Sequence, residues 1–293
     1  MKKTIVFLAV AAFLINFAGC AFLGVGHGDI AAGVIKGTFV GIAESKKAAE
    51  ALTPENEYYL GRAVAANIAG NYKIFRNATL QSYVNKICQT IVINSPRPDI
   101  YNGYHVGILD TTEINAFATP GGHIFLSRGL IDSTKNEDEL AAVIAHEIGH
   151  IQLQHALTSI RNARYVNAIL SGAAAGFGEA LGGGALSELA NIMSESVNEM
   201  VTTLVSKGFS KNQEYQADAA AVSLLAASGY NPSGLLEMLE ELKKTQGNDK
   251  TAGFGKTHPT PEQRIAAAKK VVAKYTVEDT SSYRTRRYGA ATR

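Results

Sequence analysis

The sequence predicts an α+β fold that is mainly helical. Apolar residues recur at helical spacing through most of the chain after Pro54, whereas alternating β patterns are confined to one region between Tyr104 and Leu126. The chain has 293 residues, and 46 % of them are hydrophobic, which is ordinary for a globular protein of one large or two small domains. We therefore expect helices packed around one small sheet.

The first residues have the pattern of a secretory signal. Lys2 and Lys3 precede an apolar run from Ile5 to Ile15, and small residues follow before Cys20. This pattern predicts export from the cytoplasm. The segment could be a lipoprotein signal, and a plain signal peptide and an uncleaved membrane anchor are the alternatives.

The end of this segment, Phe17-Ala18-Gly19-Cys20, resembles a bacterial lipobox. We therefore expect residues 1–19 to be a lipoprotein signal peptide, Cys20 to carry the lipid, and residues 20–53 to form a tether. By the same resemblance, Ala21 after the cysteine favours the outer membrane. The predicted location is the bacterial periplasm, with the lipid in the inner leaflet of the outer membrane.

The charge balance gives no reason to expect a nucleic-acid partner. The chain has 28 basic and 26 acidic residues, and removal of Lys2 and Lys3 with the signal leaves 28 − 2 = 26 basic residues. A neutral mature chain lacks the overall positive field of most nucleic-acid-binding proteins.

The β region follows two predicted amphipathic helices, Glu55 to Ala69 and Asn77 to Ile93. Its three short strands are predicted over Tyr104 to Leu109, Ala116 to Thr119 and His123 to Leu126, with a turn at Pro120-Gly121-Gly122. They predict a small antiparallel sheet, whose edge could bind an extended polypeptide through its backbone. The candidate substrate-binding residues are Asn115, Ala116, Phe117 and Ala118.

The next segment, Asn136 to Leu157, is predicted to be one buried helix. Asn136 with Glu139 three residues later is typical of a helix start. His146 and His150 are four residues apart, so both imidazoles project from the same face and could bind one zinc ion. Glu147 lies beside them and could accept a proton from water in metal-assisted peptide hydrolysis. His155 falls opposite His146 on a helical wheel and is not expected to bind the metal.

Two carboxylates stand out in the predicted helical segment Asn191 to Ser228. Glu214 could supply a third zinc ligand, and Asp218, one turn further on, could accept a hydrogen bond from a ligand histidine. A solvated charged face is the alternative. The surrounding alanines instead indicate a buried helix, where unpaired carboxylates are costly.

The remaining segments are harder to interpret. Ala168 to Leu189 is rich in Ala and Gly, and we expect a mobile helical lid or a hairpin that touches the membrane. Residues 276–293 are polar and lack an apolar period, which predicts a flexible basic tail. His258 lies in a polar loop and would be unremarkable as a lone residue.

Four segments together resemble the HtpX-like zinc metallopeptidases, and within them the branch of LoiP-like and BepA-like periplasmic lipoproteins. These segments are NAFATPGGHIFLSRGL, HEIGH, EYQAD and THPTPEQRI, in this order along the chain. The resemblance implies a zincin-like domain over residues 54–275 that binds one zinc ion through His146, His150 and Glu214. It implies further that Glu147 is the general base, that Asp218 supports the site, and that His258 to Arg264 lies beside the metal.

The resemblance implies a zinc-dependent metalloendopeptidase that hydrolyses unfolded or misassembled envelope proteins. Its expected partners are polypeptide substrates, the membrane through the lipid, and outer-membrane assembly proteins. The catalytic assignments include His258 and Arg264: either could donate to the oxyanion, or His258 could occupy the open metal position as an inhibitor. The alternative function is a chaperone-like assembly factor with a silent or restrained zinc site.

Overall fold

The computed structural model describes residues 53–159, 194–246, 258, 260–276 and 281–292. The predicted signal peptide, Cys20, residues 20–52 of the tether and the segment Ala168 to Leu189 therefore lie outside the described residues. The predictions made for them are not addressed by the fold.

Helices dominate the described part of the chain. The elements follow in the order α1 (Pro54–Asn71), α2 (Ala78–Val92), β1 (His105–Leu109), β2 (Ala116–Ala118), β3 (His123–Ser127), α3 (Arg128–Ser133), α4 (Glu137–Gln152), α5 (His155–Thr158), α6 (Lys211–Ala227), α7 (Gly234–Gln246), α8 (Pro261–Val272) and α9 (Ser281–Thr292). The predicted α+β class, mainly helical with one small sheet, is confirmed.

The sheet is mixed, so the prediction of a wholly antiparallel sheet is wrong. Its strand order is β1-β3-β2, with β1 parallel to β3 and β2 antiparallel to β3. The tight turn Pro120–Gly122 joins β2 to β3 as a hairpin, and β1 adds to the other edge of β3. β1 and β3 therefore run in the same direction, and β2 lies antiparallel to them at the opposite edge of the sheet from β1.

Helix α4 lies at the centre of the fold. All its residues from Glu137 to Ile151 are buried, because the helix packs against α6, α7 and α2 and against the sheet. The predicted start is confirmed: the Asn136 side chain accepts a hydrogen bond from the Glu139 backbone N–H at 2.9 Å. The Glu139 carboxylate reaches back to the Lys135 N–H at 2.8 Å. These two bonds satisfy backbone N–H groups at the start of the helix, which is what a helix cap does.

Polar side chains of α2 cover the outer edge of β1. The Asn85 side chain accepts from the Val106 N–H at 3.0 Å, and Gln89 donates to the Tyr104 carbonyl at 2.8 Å. Gln81 donates to the Val106 carbonyl. These three side chains are four residues apart, so they form one row along the helix and bind the backbone of the strand beside it.

Helix α4 ends earlier than the sequence indicates. It stops at Gln152, Gln154 adopts a left-handed conformation (φ 54°, ψ 35°), and the short helix α5 begins at His155. The single helix predicted to Leu157 is thus broken. Because the helical wheel does not continue through the break, it cannot place His155.

The long helix predicted over Asn191 to Ser228 is also interrupted. Helical residues 194–202 continue into the π-helical turn Thr203–Lys207, and Gly208 then turns the chain at φ 73°. Helix α6 starts afresh after Ser210, whose side chain and backbone form a capping box with Gln213. Glu214 therefore lies in the first turn of its own helix.

The basic tail is an ordered helix, so the prediction of a flexible tail over residues 276–293 is wrong for residues 281–292. Arg284 of α9 binds Asp138 at 2.9 Å, and Arg287 pairs with Glu137. The Tyr288 hydroxyl donates to the Thr134 carbonyl at 2.6 Å. Helix α9 thus contacts the acidic N-terminus of α4, where Arg284 and Arg287 are paired with carboxylates of the same protein.

None of the helices in the described part of the chain combines the length and the hydropathy needed to cross a bilayer.

Candidate active site

Helix α4 presents His146 and His150 to one buried point. Their Nε2 atoms are 3.1 Å apart, and each imidazole is at most 2 % exposed. At this distance the two Nε2 atoms point into the same small volume, where a metal ion could accept a lone pair from each of them. The four-residue spacing on a helix has produced the convergence that the sequence indicates.

Glu214 completes a group of three. Its Oε2 lies 3.5 Å from His146 Nε2, and its Oε1 lies 3.5 Å from His150 Nε2. Donor atoms about 2.0–2.1 Å from a tetrahedral zinc ion are roughly 3.4 Å from one another. The 3.1 Å between the two imidazole nitrogens and the 3.5 Å from each of them to one or the other Glu214 oxygen are close to that value. The donor set of two imidazoles and one carboxylate also suits this metal, so the residues fit a zinc ion.

Close packing of α6 on α4 brings Glu214 to the histidines. Gly149 lies between the two histidines on α4, and a Cβ there would be 3.1 Å from the Ala217 carbonyl oxygen and 3.3 Å from Ala217 Cα. Glycine and alanine therefore let the two backbones approach. The prediction that Gly149 leaves room for a neighbouring backbone is confirmed.

Asp218 and Arg264 form a buried ion pair behind His146. Asp218 Oδ1 is 3.0 Å from His146 Nδ1, and Arg264 donates to both carboxylate oxygens of Asp218, at 2.9 and 2.6 Å. Burial acts to raise the pKa of Asp218, but the guanidinium outweighs it and lowers that pKa to about 2. Asp218 is placed to accept the Nδ1–H of His146, which would leave Nε2 free for a metal, and Arg264 Nη2 also lies 3.2 Å from that Nδ1.

Glu147 is buried beside the histidines with unused bonding capacity. It is 1 % exposed, and its Oε1 has no hydrogen-bond partner among the described residues. Burial raises the pKa of this carboxyl to about 7, against the opposing effect of His146. A carboxyl with that pKa can accept and return a proton near neutrality. Glu214 Oε1, 3.5 Å from His150 Nε2, likewise has no hydrogen-bond partner among the described residues.

His258 enters the site from the loop before α8. Its Nδ1 lies 2.7 Å from Glu214 Oε2, and its ring centroid is 5.4 Å from that of His146. Together with His146, His150 and Glu214 it offers a ligand atom to one cluster, within which all four atoms lie no more than 4.8 Å apart. The structure therefore brings His258 to the predicted metal ligands themselves.

A comparison with known protein families decides the classification. The model of peptidase family M48 matches residues 75–272, which include every site residue described above. The chain belongs to peptidase family M48.

Curated relatives of this M48 chain match it over part of their length. The beta-barrel assembly-enhancing protease of Escherichia coli O157:H7 is 27 % identical over 76 % of this chain and 45 % of its own. The mitochondrial metalloendopeptidase OMA1 of Schizosaccharomyces pombe is 30 % identical over 62 % of this chain and 50 % of its own. Metalloprotease LoiP of Escherichia coli strain K12 is 34 % identical over 52 % of this chain and 56 % of its own. The chain thus spans about half the length of these relatives.

Strand β2 forms a wall of the M48 site. A cavity beside it is lined by Ala116, Phe117 and Ala118, by Glu147, and by His258. Thr119 N–H donates to the His123 carbonyl, and Ser127 N–H donates to the Asn115 carbonyl, so the odd-numbered residues bond to β3. In an antiparallel pair the alternate residues direct their backbone groups outward. The outer edge is therefore made by Ala116 and Ala118, although the Asn115 side chain accepts the Ala116 N–H at 3.0 Å.

Two residues beside His150 were missed by the sequence analysis. His155 is 3 % exposed, with its Nδ1 2.9 Å from His150 Nδ1, and the Phe209 ring stacks on His150 at a centroid distance of 4.2 Å. The break at Gln154 brings His155 back toward α4, and Gly208 turns the chain so that Phe209 covers the imidazole. A glycine before a lone aromatic is too common a signal to have identified Phe209.

Arg264 contacts Asp218, Glu214 and His146 through its guanidinium, with Nη2 3.2 Å from His146 Nδ1. It is 2 % exposed, and the contacts described above direct its guanidinium at Asp218, with Nη1 3.5 Å from Glu214 Oε2. An oxyanion donor must face the volume where the substrate carbonyl reacts. The geometry instead favours a role in holding the two carboxylates.

Proposed function

We propose that this chain is a zinc-dependent metalloendopeptidase. The observation that carries the proposal is the convergence of His146, His150 and Glu214 on one buried point with the Glu147 carboxylate beside it. Two histidines and one glutamate are a ligand set of catalytic zinc sites, which keep one position open. A site used only for structural zinc has no need of a neighbouring general base.

When bound, zinc supplies Lewis acidity, because it lowers the pKa of a water molecule and polarises a peptide carbonyl. Glu147 accepts the proton of the attacking water and delivers it to the departing amine. Asp218 keeps His146 in the required tautomer, and Arg264 holds Asp218 and Glu214 in place. Each residue named here is buried, so bulk water is excluded from the reaction.

We propose that the substrate is an extended polypeptide that adds to the outer edge of β2. The support is the position of Ala116 and Ala118, which line the cavity together with Glu147. Binding through backbone groups gives affinity with little dependence on substrate sequence. Such recognition suits unfolded or misassembled chains.

Replacement of Ala118 by proline tests this edge. Proline removes the outward N–H but leaves the bonds between β2 and β3 intact, and it is tolerated on edge strands. Loss of one hydrogen bond of about 1–1.5 kcal/mol is expected to lower kcat/KM for an unfolded protein about tenfold. Ala118→Ser retains the N–H and should cleave as the wild type does. Equal activities of the two folded variants would refute edge binding.

His258 is proposed to close the site. With His258 in place four protein groups surround one point, which is the ligand number of a structural zinc site rather than a catalytic one. Hydrolysis then requires this imidazole to move away from the metal position.

The variant His258→Ala is therefore expected to cleave casein several-fold faster than the wild type at equal zinc content. The cause would be a water molecule in the place of the fourth protein ligand. Cleavage rate and zinc per chain should be measured on the same preparations. A lower rate with zinc retained would show instead that His258 assists the reaction.

The cellular setting is proposed from the sequence and from the relatives. The lipobox-like ending at Cys20 supports a lipid-anchored periplasmic protein. One relative is named a beta-barrel assembly-enhancing protease, and this supports substrates or partners among envelope proteins. Incorporation of labelled palmitate into the wild type but not into Cys20→Ser would test the anchor.

A further inference from the structure

A chain of hydrogen bonds runs from His150 away from the metal position. His150 Nδ1 faces His155 Nδ1 at 2.9 Å, and His155 Nε2 faces the Gln216 side-chain oxygen at 3.1 Å. His155 is buried, whereas Gln216 lies at the surface. The chain therefore links a predicted metal ligand to α6 through a second imidazole.

We propose that His155 is a positioning residue that holds His150 in the tautomer able to bind the metal, and that Gln216 sets the direction of this hydrogen-bond chain. The inference rests on the proposed zinc site. It concerns the affinity of the site for metal rather than the chemistry of hydrolysis.

The proton count explains the assignment. Two neutral imidazoles that face each other through their Nδ1 atoms share one hydrogen between them. If His155 carries it, His150 has its hydrogen on Nε2 and cannot bind metal there. In that case the bare Nε2 of His155 would face the Gln216 oxygen, and two acceptors would repel each other. With the hydrogen on His150, His155 Nε2–H donates to Gln216, and His150 Nε2 is free.

The local structure fixes His155 in this position. The Gln213 side chain donates to the His155 carbonyl at 3.3 Å and to the Thr158 hydroxyl at 3.3 Å, which attaches α5 to the start of α6. Helix α6 thereby supplies the ligand Glu214 and orients both histidines. Asp218 acts on His146 directly, and Gln216 acts on His150 through His155. Partners of this kind typically contribute 10–100-fold to metal affinity.

Zinc affinity of the full chain, measured by competition with a chromogenic chelator, tests the inference. His155→Leu is expected to bind zinc about 10–100-fold more weakly than the wild type. His155→Asn places an amide oxygen near the position of Nδ1, so it can accept from His150 and should recover most of the affinity. The same change at an exposed histidine of β1, His105→Leu, removes an imidazole that hydrogen-bonds only to the Asn102 carbonyl among the described residues and should match the wild type.

Melting temperatures of the metal-free proteins separate positioning from folding. If His155→Leu binds zinc as tightly as the wild type, or if the Asn variant is as weak as the Leu variant, the inference is wrong and the peptidase proposal stands. If His155→Leu fails to fold, Gln216→Leu at the surface decides: weaker binding supports the inference, and unchanged binding overturns it. Absence of zinc binding in the wild type would refute the proposed function itself.

Discussion

Replacement of Glu147 by glutamine is expected to lower peptide hydrolysis roughly 10³-fold while zinc stays bound, because a positioned general base contributes about 10²–10⁴-fold. The amide fills the same buried space but cannot accept the proton of the attacking water. Glu147 is beside the three predicted ligands without belonging to them, so the metal affinity should change little. Casein cleavage and zinc content measured on the same preparation check both halves of this expectation.

The exposed residue Glu237 of α7 offers a matched control, since Glu237→Gln makes the same chemical change beside Asn136, at the N-terminal end of α4, and should leave cleavage unaltered. Retained proteolysis by Glu147→Gln would exclude the proposed mechanism. A variant without proteolysis that still functions as well as wild type in cells would instead favour the chaperone-like assembly factor, with the zinc site restrained or silent.

Replacement of Arg264 by methionine is expected to destabilise the fold by about 3–5 kcal/mol, the usual cost of removing one partner of a buried ion pair. The loss leaves Asp218 and Glu214 as buried carboxylates without their cation. For a domain of this size the change corresponds to a fall in melting temperature of roughly 10 °C, measurable by circular dichroism.

A second substitution at Asp218 makes this test specific. In the double variant Arg264→Met, Asp218→Asn the uncompensated charge is reduced, so the two losses of stability should sum to more than the loss in the double variant. Additive losses would contradict the ion pair. If a folded Arg264→Lys protein binds zinc but no longer cleaves, Arg264 acts in the reaction itself, as the oxyanion donor considered from the sequence.

The sequence was sufficient to place the residues of α4. Helical spacing alone predicted that His146 and His150 share a face, and the pair Asn136 and Glu139 predicted where the helix starts. These features depend on neighbours within one turn. Glu214 is different, because its distance to the histidines depends on how closely two helices pack, and no local pattern encodes that distance.

The errors have the same origin in tertiary structure. The polar pattern of α9 predicted no helix, since its order comes from Arg284 and Arg287 binding carboxylates at the start of α4. Strand patterns carry no information on strand order, so the parallel pairing of β1 with β3 was missed. His155 was misplaced because the helix breaks at Gln154, which adopts a left-handed conformation. Glutamine rarely adopts this conformation, so nothing in the sequence indicated the break.

The row of Gln81, Asn85 and Gln89 on α2 limits how this protein can aggregate. An exposed strand edge is a template on which other extended chains assemble, and under the proposed function this protein would meet such chains constantly. The amides of α2 occupy the β1 edge, so a captured chain cannot extend the sheet on that side. Within the described sheet this leaves the outer edge of β2, and under the proposed function a polypeptide bound there would lie beside Glu147, the proposed general base.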